Sequence, residues 1–272
     1  MTRLLHLSDL HFGTEDTAVL QALLQLGREL QPSLYLLSGD ITQRARRGQF
    51  AAAGAFVRQL SAPLLAVPGN HDLPLFNLAA RLLNPYGNYR RVFGEQLEPQ
   101  LENPELLVIG VNTTRAARHK DGEVSSGQIE RVARRLRQAT AEQLRIVMLH
   151  HPVRAVEESD VSNLLIGREQ AVPAWVDAGM DLLLAGHIHL PYQVPLGAST
   201  SARRAWAIQA GTGVSRRVRG SIPNSVNSLD YQPGEYRCCR VTRWDYDHTR
   251  ERFVEVATTE LRFEPSSDLP QA

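Results

Sequence analysis

Cysteine and long apolar runs are scarce in this sequence. Its two cysteines, Cys238 and Cys239, are adjacent, whereas a disulfide framework needs separated pairs, so we expect both to be reduced residues on a strand. No apolar run approaches the length of a membrane span. The apolar stretch that follows Met1 is too short for a secretory signal. These absences exclude a disulfide scaffold and a membrane span, and they predict a cytoplasmic protein.

The sequence also lacks an excess of positive or negative charge. The net charge is +1 at pH 7, so no whole-molecule field favours nucleic acid or a membrane surface as the partner. Lys120 is the only lysine. Nearly all positive charge is therefore carried by arginine, whose planar guanidinium suits phosphate recognition. The 272 residues, 43% hydrophobic and 22% charged, are typical of a globular protein with one large domain or two small ones.

Five apolar runs of strand length are each followed closely by side chains that can bind metal. The runs cover residues 4–7, 34–37, 64–67, 146–149 and 182–185. Ligands of open α/β sheets bind at strand ends, so we expect the polar residues after these runs to converge. The metal-competent residues are Asp9, His11, Asp40, Asn70, His150, His187 and His189.

The chemistry of this set narrows the choice of metal. Carboxylate, amide and imidazole groups supply oxygen and nitrogen, which suit Mn, Fe, Zn or Co rather than a structural thiolate zinc site. Seven ligands are too many for one closed tetrahedral site. They fit two divalent metal ions that share a bridging carboxylate, and such a pair can activate a hydroxide and stabilise a phosphoryl group during in-line displacement.

The motifs D-x-H, G-D, G-N-H-D, H-x-P and G-H-x-H occur in this order between residues 4 and 190. As a set they resemble the calcineurin-like metallophosphoesterase superfamily. The resemblance implies an α/β fold, a four-layer α-β-β-α sandwich of two mixed sheets, with a dinuclear site at the strand ends. It implies that Asp40 bridges two metals. The other ligands form two sets, with Asp9, His11 and His189 on the first metal and Asn70, His150 and His187 on the second.

The resemblance also gives roles to residues beside the ligands. It implies that His71 lies over the phosphate, where it stabilises the transition state or protonates the leaving oxygen. Asp72 is expected to orient His71. In the H-x-P element the resemblance selects His150 as the ligand, which leaves His151 as a neighbour of the site.

Candidates for substrate contacts come from position and charge. Asn112 follows the apolar run at residues 106–111, although a strand-end turn explains it equally well. Arginines in three clusters can hold a phosphate through paired hydrogen bonds, although a solvated surface explains most of them. The clusters are Arg115 and Arg118 with His119 and Lys120, then Arg216, Arg217 and Arg219 in a glycine-rich loop, and Arg44, Arg46 and Arg47 after Asp40. The candidates we retain are Asn112, Arg115, His119 and His151.

The second motif separates the substrate classes of the superfamily. Its Ser/Thr phosphatases carry G-D-x-x-D-R-G, whereas residues 39–45 read G-D-I-T-Q-R-A, so a protein phosphatase is disfavoured. The G-D-I-T form, followed by V-P-G-N-H-D, is similar to class III cyclic-nucleotide and glycerophosphodiester phosphodiesterases. The resemblance therefore implies hydrolysis of a cyclic nucleotide or another small phosphodiester by in-line attack of a metal-bridging hydroxide.

Three other functions stay open. Residues 5–13 resemble the nuclease subunit of double-strand-break repair complexes, but a short and nearly neutral chain disfavours DNA. Pyrophosphate cleavage in a nucleotide-linked lipid precursor needs an apolar groove or flap. Residues 75–78 and 82–83 can supply one, although core packing explains them more simply. A metal-binding scaffold without activity is weakly supported, because no ligand is missing. The sequence predicts no oligomeric state.

The periodicity of the chain changes after the last motif. Before it, strands alternate with helices expected at residues 17–30, 49–60, 74–83, 125–136 and 168–178. After it, we expect strands at residues 192–196, 205–210, 236–244 and 252–257. This pattern predicts one domain over residues 1–264. Its motif-bearing core is residues 1–190, and residues 191–264 are mostly β and complete a second, mostly antiparallel sheet. Residues 265–272 are expected to form a frayed tail.

Overall fold

Two mixed β-sheets and six α-helices form the part of the chain that the computed structural model describes, which is residues 1–197, 203–234 and 237–263. The strands are β1 (Thr2–Leu7), β2 (Leu34–Leu37), β3 (Leu64–Ala66), β4 (Gln100–Glu102), β5 (Leu106–Gly110), β6 (Leu144–Met148), β7 (Leu182–Ala185), β8 (Tyr192–Gly197), β9 (Arg204–Gln209), β10 (Ser225–Gln232), β11 (Cys238–Asp247) and β12 (Arg252–Arg262). The α-helices are α1 (Thr17–Leu30), α2 (Arg47–Val57), α3 (Leu78–Leu83), α4 (Gly87–Phe93), α5 (Ser126–Arg137) and α6 (Arg168–Asp177). None of the helices in these ranges is long and apolar enough to cross a lipid bilayer.

Each sheet has six strands. The order of the first sheet is β12-β11-β10-β1-β2-β3, and the order of the second is β4-β5-β6-β7-β9-β8. Strands β1, β2 and β3 are parallel to one another, as are β5, β6, β7 and β9. Because parallel strands end at the same edge of a sheet, the residues after them are brought together.

The two sheets pack face to face, with helices on both outer faces. Leu4 of β1 and Ile146 of β6 lie in the core between the sheets. Leu5, the next residue of β1, points the other way and packs in a core with Phe50 of α2, as the alternation of side chains along a strand requires. Trp175 of α6 is buried in the third core, on the outer face of the second sheet. The predicted four-layer α-β-β-α sandwich is confirmed.

Capping side chains set the start of the two helices that were best predicted. The Asp16 carboxylate accepts the backbone N–H groups of Ala18 and Val19, at 2.9 and 3.4 Å, before α1. Ser125 and Gln128 form a reciprocal capping box before α5. Such caps satisfy N–H groups that have no partner within the helix, and they therefore determine where a helix begins.

The segment between β3 and β4 differs from its prediction. The helix expected over residues 74–83 is only α3, and α4 was not predicted. Pro85 lies between α3 and α4, and proline disfavours the helical conformation of the residue before it. A 3-10 helix at Asn70–Asp72 precedes this segment, and a second covers Glu158–Asn163.

The strands after residue 190 do not form a single second sheet, which corrects the expectation from the sequence. Strands β8 and β9 extend the second sheet, whereas β10, β11 and β12 extend the first. Buried backbone groups must be paired, and the later strands pair with both β1 and β7. Strand β10 pairs with β1, and β9 pairs with β7. The predicted strand at residues 236–244 begins outside the described residues, as does the expected tail at residues 265–272.

Candidate metal centre

The first predicted ligand set converges at the ends of β1 and β7. Asp9, His11 and His189 form a group whose candidate ligand atoms all lie within 4.8 Å of one another. His189 Nε2 is 3.1 Å from Asp9 Oδ1 and 3.0 Å from His11 Nε2. Asp9 and His11 are fully buried, and His189 is partly exposed. This arrangement turns nitrogen and oxygen lone pairs toward one point.

The second predicted set lies beside the first. His150 Nε2 is 3.2 Å from Asn70 Oδ1, and the His150 and His187 ring centroids are 5.1 Å apart. Asn70 follows β3 of the first sheet, whereas His150 and His187 follow strands of the second. Both sheets therefore contribute to this group.

Asp40 lies between the two sets. Its Oδ2 is 3.7 Å from His11 Nε2, and its Oδ1 is 3.3 Å from His150 Nε2. Its Oδ1 also accepts the backbone N–H of His71 at 2.8 Å. The two oxygens of one carboxylate thus face different histidine groups.

The backbone of the centre adopts a conformation that is rare for side chains larger than glycine. Positive φ angles at non-glycine residues cost of order 1–3 kcal/mol each and cluster at functional sites. At Gly186 the constraint is space rather than the φ angle, because a Cβ atom there would overlap Ser8 Oγ and Asp9 Oδ2. Five of the seven predicted ligands have positive φ: Asp9, His11, Asp40, His187 and His189.

The carboxylates of the centre are ionised although they are buried. Burial alone would raise the pKa of Asp9, but His189 holds this pKa below its usual range. Burial likewise opposes ionisation of Asp40, and His150 holds the pKa of Asp40 well below its usual range. Two neighbouring buried carboxylates that stay charged form a strong site for cations.

The imidazoles divide into neutral and protonated groups. Burial lowers the pKa of His11 and of His187 to about 3, so both rings are neutral and can donate a lone pair. Burial also opposes the charge on His150, but Asp40 raises the pKa of His150 to about 9. Without metal, a proton therefore occupies a nitrogen of His150, and a metal ion must displace it.

Backbone carbonyls orient two of the rings. His150 Nδ1 lies 2.8 Å from the Ser38 carbonyl oxygen, and His189 Nδ1 lies 2.7 Å from that of Arg217. A carbonyl only accepts hydrogen bonds, so each Nδ1 carries a proton and each Nε2 is directed into the centre. This arrangement is typical of histidines that bind metal.

One buried atom shows that the residues fit a cation. Ser8 Oγ and the His187 backbone N–H both donate to Asp9 Oδ2, at 2.6 and 2.9 Å. Asp9 Oδ1 is buried and faces the imidazole nitrogens of His189 and His11, at 3.1 and 3.7 Å. A buried carboxylate oxygen surrounded by nitrogens that can act as ligands is stabilised by a cation placed among them. The hard oxygen and nitrogen donors match the divalent metals expected from the sequence.

His71 lies at the mouth of the centre, but Asp72 does not orient it, which corrects the prediction. His71 Nδ1 lies 2.9 Å from the Gln43 carbonyl oxygen, which orients the ring instead. The Asp72 carboxylate points the other way and accepts the backbone N–H groups of Ile41, Thr42 and Gly69 at 2.8–3.1 Å. Asp72 therefore holds the loop that carries Asp40.

Three of the four substrate candidates have structural partners instead. Asn112 donates to Tyr86 Oη at 3.1 Å and accepts from Thr114. Arg115 donates to the Asn112 carbonyl oxygen at 3.1 Å. These two residues line a separate surface depression.

Both ring nitrogens of His151 are engaged, with Thr113 Oγ1 at 2.7 Å and the Lys120 carbonyl oxygen at 3.0 Å. His151 also belongs to a candidate metal group with His150 and His187, so the choice of His150 as the ligand stays a prediction. Only His119 among the four candidates lines the cleft over the centre.

Arg217 reaches into this cleft from the glycine-rich loop. Its Nη1 is 3.0 Å from Gln43 Oε1 and 3.4 Å from His71 Nε2. The sequence indicated Arg217 only as one of three arginines in the glycine-rich loop. No sequence pattern distinguishes it from the other two or predicts its contact with Gln43. Arg219, by contrast, is paired with Glu157 and Asp160.

The cleft has a volume of about 430 Å³ and is lined by candidate ligands together with Lys120 and Arg217. A larger cavity of about 570 Å³ lies between α6 and β8. That cavity is lined by none of the candidate ligands, so we place the reacting group in the smaller cleft.

Comparisons with known proteins agree with this geometry. A probable glycerophosphodiester phosphodiesterase of Arcobacter nitrofigilis is 27% identical over 163 residues, which are 58% of this chain and 57% of the relative. A probable cyclic nucleotide phosphodiesterase of Synechococcus sp. is 25% identical over 207 residues, which are 71% of this chain and 76% of the relative. The chain thus spans little more than half the length of the first of these relatives.

Solved structures share the fold. A purple acid phosphatase from yellow lupin seeds matches 100% of this chain and 55% of its own, with a TM-score of 0.74 and 12% identity. A dimetal phosphatase from Danio rerio matches 97% of this chain and 99% of its own, with a TM-score of 0.64 and 14% identity. The family model described as calcineurin-like phosphoesterase matches residues 2–191, which include every candidate ligand. The chain therefore belongs to the calcineurin-like phosphoesterase family.

Proposed function

We propose that this chain is a phosphodiesterase that works with two divalent metal ions. The observation that carries the proposal is the position of Asp40, whose two oxygens face His11 and His150, at 3.7 and 3.3 Å. One carboxylate shared by two ligand groups is the arrangement that two neighbouring metals require. Membership of the family supports hydrolysis of a phosphoester.

The residues divide between the two metals as the motifs suggest. Asp9, His11 and His189 would hold the first ion, and Asn70, His150 and His187 the second, with Asp40 shared. Mn, Fe, Zn and Co all suit these donors. When bound, such a pair supplies an activated water nucleophile and offsets the charge of the phosphoryl group.

Side chains at the cleft mouth would act on the substrate. The Arg217 guanidinium is placed to hold a non-bridging phosphate oxygen. His71 keeps its Nδ1 on the Gln43 carbonyl and turns its Nε2 into the cleft. When both ring nitrogens are protonated, the Nε2–H can be given to the leaving oxygen, and Nδ1 keeps its proton on the Gln43 carbonyl. Lys120 adds positive charge at the same opening.

The substrate we propose is a cyclic nucleotide or another small phosphodiester. A cleft of about 430 Å³ is within the range of small-molecule sites. The names of the two curated relatives support the same class.

Hydrolysis of bis(p-nitrophenyl) phosphate by the purified chain tests the proposal. We expect turnover with Mn²⁺, its loss with a chelator, and its return when the metal is added back. Cyclic AMP, a glycerophosphodiester, single-stranded DNA and a nucleotide-linked lipid, assayed side by side, would distinguish the substrate classes. Absence of turnover with each of Mn²⁺, Fe²⁺, Zn²⁺ and Co²⁺ would favour a metal-binding scaffold.

A further inference from the structure

Four large apolar side chains around α3 are exposed, although the sequence suggested that core packing would bury them. Helix α3 has no buried residue. Monomeric proteins rarely expose such groups together unless the patch binds something. We call this patch the α3 face: Phe76, Leu78, Leu82 and Leu83, which are 78%, 67%, 81% and 86% exposed.

The α3 face adjoins the mouth of the metal centre. Arg81 of α3 donates to the carbonyl oxygens of Ala116 and Arg118, at 2.7 and 2.6 Å, and so fixes the helix to the loop that carries His119. Arg81 and His119 line a small cavity together with His71. A surface that docks at α3 would therefore lie next to the cleft.

The segment around this face is strongly basic although the whole chain is nearly neutral. Residues 41–94 contain seven arginines and one acidic residue, Asp72. Asp72 is only 1% exposed, so it does not balance the arginines at the surface. Arg90 pairs with Glu95, just outside the segment, at 3.3 Å. The Arg44 guanidinium lies 5.7 Å from the centroid of the Phe76 ring. Arg46 and Arg47, which follow in the chain, are exposed.

We propose that the α3 face and the arginines beside it dock on an anionic phospholipid bilayer. Apolar side chains next to arginines suit the boundary between acyl chains and anionic head groups. A second copy of this chain fits less well, because a symmetric contact would bring the arginines of both copies together. Nucleic acid also fits less well, because three of the four side chains of the face are leucines and only Phe76 offers a flat ring on which a base can stack.

Sedimentation of the metal-loaded chain with vesicles tests the proposal without any catalytic step. We expect binding to vesicles with 30% phosphatidylglycerol, and binding at least tenfold weaker to pure phosphatidylcholine. The double variant Leu82→Gln/Leu83→Gln should bind anionic vesicles at least tenfold more weakly. Arg46→Gln/Arg47→Gln should weaken binding and reduce its dependence on salt.

Matched controls distinguish vesicle binding through the α3 face from nonspecific adsorption to vesicles. Val256→Gln changes an apolar residue that is 49% exposed on β12, and Arg134→Gln/Arg137→Gln removes two exposed charges from α5. Both should bind vesicles like the unmodified chain. The Leu82→Gln/Leu83→Gln variant should keep its rate on a small soluble diester, so docking and the proposed function can fail separately.

Three results would overturn the proposal. The first is an unmodified chain that does not bind anionic vesicles. The second is a dimer in sedimentation velocity that Leu82→Gln/Leu83→Gln converts to monomer, without vesicle binding, which would assign the α3 face to a second copy. The third is binding to single-stranded DNA but not to vesicles.

Discussion

Asp40 is the residue that connects the two halves of the proposed centre. Its side chain is 1% exposed, and each of its oxygens faces a different histidine. The other ligands each belong to one set, so their loss should affect one metal more than the other. The loss of Asp40 should affect both.

Asp40→Ala should therefore abolish binding of both metals and all metal-dependent turnover. Inductively coupled plasma mass spectrometry of the dialysed variant measures the metal content. Asp160→Asn is a matched control, because Asp160 lines the same cleft but pairs with Arg219. This control should retain both metals. Two metals per chain in Asp40→Ala would show that Asp40 is not the shared ligand.

His71→Gln should keep the metals but reduce turnover, because glutamine cannot give a proton to the leaving oxygen. We expect kcat to fall by about 10²–10⁴-fold on a diester with an alkoxide leaving group. The loss should be smaller for a p-nitrophenolate leaving group, which needs no proton. Asn163→Ala, a change elsewhere in the cleft, should have little effect on kcat. An equal loss on both substrates would contradict a role for His71 as the proton donor.

Buried His6 should make the metal-free protein less stable in acid. Burial lowers the pKa of His6 from 6.5 to about 3. Between these two values the unfolded chain binds a proton that the folded chain does not. This histidine therefore reduces stability progressively as the pH falls below 6.5.

His6→Gln should flatten this dependence. Glutamine can keep the hydrogen bond that His6 Nε2 makes with Ser38 Oγ but does not titrate. Urea unfolding in the presence of a chelator should show a slope between pH 6 and pH 4 that is smaller by up to about 1.4 kcal/mol per pH unit. An unchanged slope would mean that His6 does not resist protonation in the folded state.

Elements with strong local signals were predicted well at the scale of helices and strands. Helix α1 spans the predicted range, and α5 begins one residue after its predicted start. Strand β10 was missed because its buried positions include Ser225, Asn227 and Ser228. An interpretation based on hydrophobic periodicity assigns such polar residues to an exposed face. These polar residues are buried because β10 fills the open edge of β1, which is a tertiary effect that no local pattern contains.

The capping box of α5 gives a test at this scale. Ser125→Ala removes an acceptor for the Gln128 N–H, and it should lower the free energy of unfolding by about 1 kcal/mol. Chemical denaturation measures the change. Ser126→Ala, at the next and also exposed position, is the matched control and should change stability much less. An equal effect of both substitutions would indicate that the cap contributes little.

At the scale of the whole molecule, the order of the motifs predicted the convergence of the seven candidate ligands, but not how the strands are shared between the sheets. Each motif followed a parallel strand, and the rule for strand ends then applies. The orientation of His71 by Gln43 could not be predicted, because it depends on how two loops pack. Whether the seven residues bind metal stays a prediction.

Metal removal should lower the stability of the whole fold, because both sheets supply ligands. A metal present at 100 times its dissociation constant stabilises the folded state by about 2.7 kcal/mol. For a chain of this size we expect a chelator to lower the Tm by about 5–10 °C. Differential scanning calorimetry measures the shift, and Asp40→Ala should show none. A chelator-insensitive Tm in the metal-loaded protein would argue against ligands from both sheets.

The spread of the ligands along the chain has a consequence for biosynthesis. The Asp9 carboxylate is completed by the backbone N–H of His187, 178 residues later. A ribosome must therefore add 178 residues after Asp9 before this contact can form, although His11 and Asp40 are made early. Neither ligand set is complete before His187 and His189 have been added, so we expect a cation to be selected by the assembled fold rather than by the nascent N-terminal segment.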